Sequence, residues 1–145
     1  MSKSNTLETK YLQLLFENAD FTNVGDAGGL GGSATAGSLY FSLHTSDPGE
    51  GGDQTTNEIG YTSYARVAVA RSTSGWTVTG NTVQVDADVT FPTGSGGSGT
   101  ATHWGLGTAS SAAGQLLYKG TISPNIVCGS GVTPTLTAGT VVTED

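Results

Sequence analysis

Apolar and polar residues alternate in short runs along most of this chain, and the period of the alternation changes once. Over residues 5–19 the spacing is helical. Leu7, Tyr11, Leu14 and Leu15 fall at i, i+4, i+7 and i+8, and Leu12 and Phe16 widen the stripe. Asn5 is placed to cap this helix, and Glu8, three residues on, completes a capping-box pattern. From Ser38 onward the period is two. Leu39, Phe41 and Leu43 alternate with Tyr40, Ser42 and His44, and Ala65, Val67 and Val69 alternate with Arg66, Ala68 and Ala70. Trp76 and Val78 share one face of a short strand between Gly75 and Gly80. The cleanest alternation is 83–91, with Val83, Val85, Ala87, Val89 and Phe91 on one face and Gln84, Asp86, Asp88 and Thr90 on the other. Further strands are predicted over 100–107 and 115–122, with a short apolar piece at 124–128. A last strand region, 132–142, is interrupted near Pro134 and Gly139.

About eight short strands separated by turns predict an antiparallel sandwich or barrel. The expected fold class is therefore mainly β, with one N-terminal α-helix. The expected division is a helix and glycine-rich arm over 1–37 and a β-domain over 38–145. The arm, 21–37, is either flexible or a loop threading a crowded surface, because glycine permits close backbone approach. It lacks the lysine of a P-loop.

Composition narrows the function more than the fold. The chain has 145 residues, 23 of them glycine, and a net charge of −7, so a single hydrophobic core is within reach but a nucleic-acid footprint is not. Only five Lys and Arg are present, and Arg66 and Arg71 are expected to pair with carboxylates or face solvent. No apolar run approaches the length of a membrane-crossing helix, and the N-terminal residues show no secretory leader. Cys128 is the sole cysteine, which excludes an intrachain disulfide and a C-x-x-C zinc pair.

Candidate chemistry is sparse. Gly94, Gly96 and Gly99 match G-x-G-x-x-G formally, but strands are predicted on both flanks, where a dinucleotide site requires a helix N-terminus. Ser95 and Ser98 lie in glycine runs without a following helix, so no nucleophile elbow forms. His44 and His103 are expected to point outward or toward an aromatic neighbour. Asp86 and Asp88 share a solvated strand face. The connector between the first two strands, 44–61, holds Asp47, Glu50, Asp53 and Glu58 and no Lys or Arg. Its carboxylates Asp47, Glu50 and Asp53 are the candidate ligands for a calcium ion, a weaker reading than a plain solvated loop. No catalytic group, cofactor site or enzyme activity is expected. The helix stripe Leu7, Tyr11, Leu14 and Leu15 is the candidate partner contact, against the plainer reading that the helix covers the domain's own sheet.

The stretch YFSLHTSDPGEGG, followed by GYTSYARVAVAR and then W-x-V, resembles small virion structural proteins of tailed bacteriophages. THWGLGTASSAAGQLLYKGTIS and the closing VTPTLTAGTVV are similar to the same group. The resemblance covers 38–142 and is most specific over 38–71 and 102–123. It implies a jelly-roll-like β-sandwich that binds and stabilises without catalysis. Some members are labelled tail-fibre-like or minor structural proteins, and others act as capsid cement or decoration proteins. The expectation drawn from it is a cement protein on the phage head surface, made in the bacterial cytoplasm. Its partners would be the major capsid protein and further copies of itself, with no nucleic acid and no membrane. The alternative is a tail-associated or fibre-like protein that binds a host receptor or a tail partner.

Overall fold

The computed structural model describes residues 2–25, 29–139 and 141–144. Residues 26–28 of the glycine-rich arm and 140 of the last strand region lie outside the described residues. The fold is mainly β and sandwich-like in class, with one N-terminal helix, α1 (Asn5–Phe16). Among the described residues nine strands follow: β1 (Ser38–His44), β2 (Val67–Ala70), β3 (Trp76–Thr79), β4 (Thr82–Val85), β5 (Val89–Thr90), β6 (Ser98–Gly107), β7 (Leu116–Gly129), β8 (Thr135–Leu136) and β9 (Val141–Thr143). They form sheets of order β2-β1-β6-β7, β3-β4-β9 and β5-β8, and every pair whose register is described is antiparallel. By contacts, the chain divides into two compact units, Met1–Ser38 with Ala70–Asp88 and Thr137–Asp145, and Leu39–Val69 with Val89–Leu136.

In the first unit α1 packs on the β3–β4 hairpin. Its N-cap is Ser4 rather than Asn5. Ser4 keeps an extended backbone and its hydroxyl accepts from the Leu7 N–H at 3.3 Å, whereas Asn5 is already helical. The helix stops at Phe16, short of the expected Ala19. Asn18 takes a left-handed φ of 57° and its side-chain amide brackets Ser33 through two bonds of 2.8 and 2.9 Å, which turns the chain away. Leu12 and Phe16 are fully buried, each contributing about 1.5–3 kcal/mol. The Phe16 ring meets Trp76 edge-on at 4.8 Å. Gly80, with φ 60°, supplies the hairpin turn, and its carbonyl accepts from the Thr9 hydroxyl at 2.8 Å. The arm is tied down: Phe21 and Leu30 exchange both backbone bonds, and Asp20 accepts from the Gly32 N–H.

In the second unit β1 lies inside the four-stranded sheet, between β2 and β6. Its alternation predicts one wet face, yet Phe41, Ser42, Leu43 and His44 are all buried. The reason is the connector 45–58, which folds back over the face that carries Ser42 and His44. His44 is therefore not outward-facing. The run 83–91 is not one strand either. It breaks at exposed Asp86–Asp88, although Val83, Val85, Val89 and Phe91 keep their inward phase. The Asp88 carboxylate accepts from the Ala138 N–H at 2.7 Å, and the Asp86 carboxylate from the Thr77 hydroxyl at 2.7 Å. The separate piece expected at 124–128 is continuous with the preceding strand as β7.

Candidate functional site

The expected partner stripe lies on the outer side of α1. The inner side is defined by Glu8, Leu12 and Phe16, one helical turn apart. The side chains predicted to flank the stripe thus carry the packing, and within the stripe Leu7 and Tyr11 face outward. Leu7 and Tyr11 are about two-fifths exposed, at 41% and 42%, and Leu14 and Leu15 are half-buried. Arg71 fixes the end of the helix. Its guanidinium donates to the carbonyls of Leu14 and Leu15, both at 2.6 Å, and to the Ser33 hydroxyl at 3.2 Å. These are the orphan carbonyls of a helix C-terminus, where a cation also meets the negative end of the helix dipole. Sequence reasoning expected a carboxylate or solvent for Arg71.

In the second unit the acidic connector is held by polar side chains. Gln54 is fully buried; its amide donates to the Tyr40 carbonyl at 3.2 Å and accepts from the Ala109 N–H at 2.9 Å. His44 Nδ1 lies 2.8 Å from the Thr56 carbonyl, an acceptor only, so Nδ1 carries the proton. Nε2 then accepts from the Ser42 hydroxyl at 2.9 Å. Burial pushes the His44 pKa below that of a free imidazole, against a smaller opposing contribution from its bond to Thr56. A Ser–His pair this deeply buried is a structural clasp rather than an exposed nucleophile. Space for it comes from Gly105: a Cβ there would lie 2.6 Å from His44 Nε2 and 2.7 Å from Ser42 Oγ.

Beside this clasp, Glu58 and Arg66 form a bidentate ion pair with both N···O distances at 2.7 Å. The Arg66 side chain is only 2% exposed, and it also donates to the carbonyls of Ala109 and Ala112. Its pKa is raised, chiefly by the bond to Glu58. Tyr64 donates to Glu58 at 2.9 Å and accepts from the Leu43 N–H at 3.0 Å; burial raises its pKa. These bonds join the end of the connector, β1 and the 108–112 turn.

The three candidate cation ligands are put to other uses or spread apart. Asp47 pairs with Lys119 at 2.8 Å and accepts from the Gly49 N–H. Asp53 accepts from the backbone and hydroxyl of Thr55 at 2.8 and 2.6 Å, a capped turn. These hydrogen bonds hold both carboxyls below the usual range, that to Lys119 being the largest for Asp47 and the Thr55 hydroxyl the largest for Asp53. Glu50 lines a groove of about 320 Å³ with Gly49, Leu116, Leu117, Tyr118 and Lys119. Among the described residues no three His, Cys, Asp or Glu side chains converge on a point where a metal ion could sit. The glycine loop 94–99 is packed against backbone: the Gly94 N–H donates to the Val132 carbonyl and the Gly96 carbonyl accepts from the Thr62 N–H. Ser95 bonds the Ser63 hydroxyl at 2.6 Å.

The molecule thus offers an apolar outer helix face in one unit and a polar-clasped sheet with shallow open grooves in the other. A family model described as podophage GP4 fiber I protein gp80 matches residues 2–144. The chain belongs to this family. Its fiber I membership makes it a phage structural protein and agrees with the tail-fibre-like members among the resemblances read from 38–71 and 102–123. No curated protein matches the chain. No helix among the described residues is long and apolar enough to cross a membrane. Sequence reasoning singled out Leu7, Tyr11, Leu14 and Leu15 as a partner contact and missed Gln54 and His44 as anchors. Their one signal is a polar side chain placed beside glycines, Gly105, Gly107 and Gly114, that are displaced far along the chain.

Proposed function

We propose that this chain is a non-catalytic, fibre-like protein of the virion tail that binds a tail partner or a host receptor. The observation that carries the reading is the family match over nearly the whole chain, joined to a helix whose own packing is satisfied by Leu12 and Phe16 while Leu7 and Tyr11 stay exposed. Leu7, Tyr11, Leu14 and Leu15 are the proposed partner contacts. The acidic connector and the grooves beside Leu116 and Leu117 offer a second recognition surface. Copies are also expected to associate with one another, because β7 ends the four-stranded sheet and leaves a long edge for pairing. A capsid-cement role on the head, with the major capsid protein as partner, draws less support from a family named for a fiber. Gold-labelled antibody on intact particles separates the two: tail labelling is expected, and uniform head labelling would sink the fibre reading in favour of cement.

A further inference from the structure

The outer face of α1 holds a cation as well as its apolar side chains. Of the five basic residues, Lys3 pairs with Glu144, Arg66 with Glu58, Lys119 with Asp47, and Arg71 is spent on the helix carbonyls. Among the described residues Lys10 alone makes neither an ion pair nor a hydrogen bond through its ammonium group. It follows Leu7 by three residues and precedes Leu14 by four, so it stands between them on the outer face with Tyr11 alongside. With Asn5, Thr6 and Thr9 it lines a depression of about 310 Å³. Leu7, Lys10, Tyr11 and Leu14 are spaced i, i+3, i+4 and i+7, the anchor spacing of a helix that lies in a groove.

A second copy is a poor occupant for this face. A two-fold contact centred on this face would bring Lys10 toward Lys10, and the carboxylates of the helix and its C-cap are turned toward the chain's own fold. Glu8 is buried on the inner side, and Glu17 accepts from the Val78 N–H. On a chain with twelve acidic residues and five basic ones, an unpaired ammonium amid exposed apolar side chains is complementary to carboxylates on a different surface.

We infer that α1 docks through Leu7, Lys10, Tyr11 and Leu14 into an apolar groove rimmed by carboxylates on another protein of the virion. The inference rests on the virion reading above. The apolar side chains fill the groove, and Lys10 fixes the helix register by pairing at the rim.

The test is complementation of a phage lacking this protein, with copies per purified particle measured by quantitative mass spectrometry. Lys10→Glu and Leu7→Ser/Tyr11→Ser are each expected to reduce incorporation by about tenfold or more, and Lys10→Arg to restore it. The thermal unfolding midpoint of each purified variant should match the parent, because none of these side chains is in the core. Incorporation of both variants at the parental level overturns the docking. Loss with the apolar variant alone overturns the carboxylate rim. A purified chain whose oligomer dissociates on Tyr11→Ser would make a second copy the occupant and also overturn the assignment. If the parental protein is itself missing from particles, the virion reading fails with it; if the parent is present and the variants incorporate normally, only the docking fails.

Discussion

At the scale of single residues, the least visible feature of the sequence is the polar clasp under the connector. His44 and Ser42 occupy the even positions of a strand whose odd positions are apolar, so alternation assigns them to water. Alternation reports one face only, and it has no means of showing that the loop which follows will fold back over the other. The buried imidazole makes stability depend on pH. Its folded-state pKa lies below the unfolded value of about 6.5, so the unfolded chain takes up a proton first and stability falls as pH drops below about 6.5. Thermal melts from pH 7.5 to 5 should show that decline, and His44→Gln should flatten it; an unchanged slope would contradict the clasp. The lowered carboxyls of Asp47 and Asp53 act later. Their contribution is full above about pH 4 and is lost as pH falls through the lower folded values. Gly105→Ala, which would drive a Cβ to 2.6 Å from His44 Nε2, is expected to cost about 1–3 kcal/mol in chemical denaturation. A neutral result would show that the clasp yields without strain.

At the scale of elements, the helix and most strands were legible in the residues because their apolar period is strong. Helix direction was not. The stripe Leu7, Tyr11, Leu14 and Leu15 and the pair Leu12 and Phe16 are adjacent on one broad apolar surface, and periodicity alone does not say which part meets the sheet. The ring contact of Phe16 with Trp76, remote in sequence, decides it. The run 83–91 teaches the complementary lesson. Its phase was right at Val83, Val85, Val89 and Phe91 but not at exposed Ala87, because phase carries no information on where a strand leaves one sheet for another, and Asp86 and Asp88 spend their carboxylates on that passage. Two elements are joined by the Glu58–Arg66 pair. Removing one member leaves a buried charge, so Glu58→Gln is expected to destabilise by about 3 kcal/mol or more, whereas Glu58→Leu/Arg66→Met should cost clearly less. Denaturation of the two variants measures this; equal losses would mean that the pair contributes only as packing. Arg71→Lys removes the fork from the carbonyls of Leu14 and Leu15 and should lower stability by about 1 kcal/mol, read as lost helical circular dichroism and a lower melting midpoint.

At the scale of the whole molecule, the class was readable from many short alternating runs, and the phage structural family from the blocks 38–71 and 102–123. The place on the particle was not, because cement and fibre proteins ask the same things of a small acidic β-fold: an exposed contact face and a stable frame. The family match favours the fibre reading over the cement one. The most direct measurement is a density map of an intact particle resolved well enough to trace side chains. This fold is expected in the tail assembly, with Leu7 and Tyr11 against a neighbouring protein. Copies spread over the head lattice, with the outer face of α1 in solvent, would contradict it.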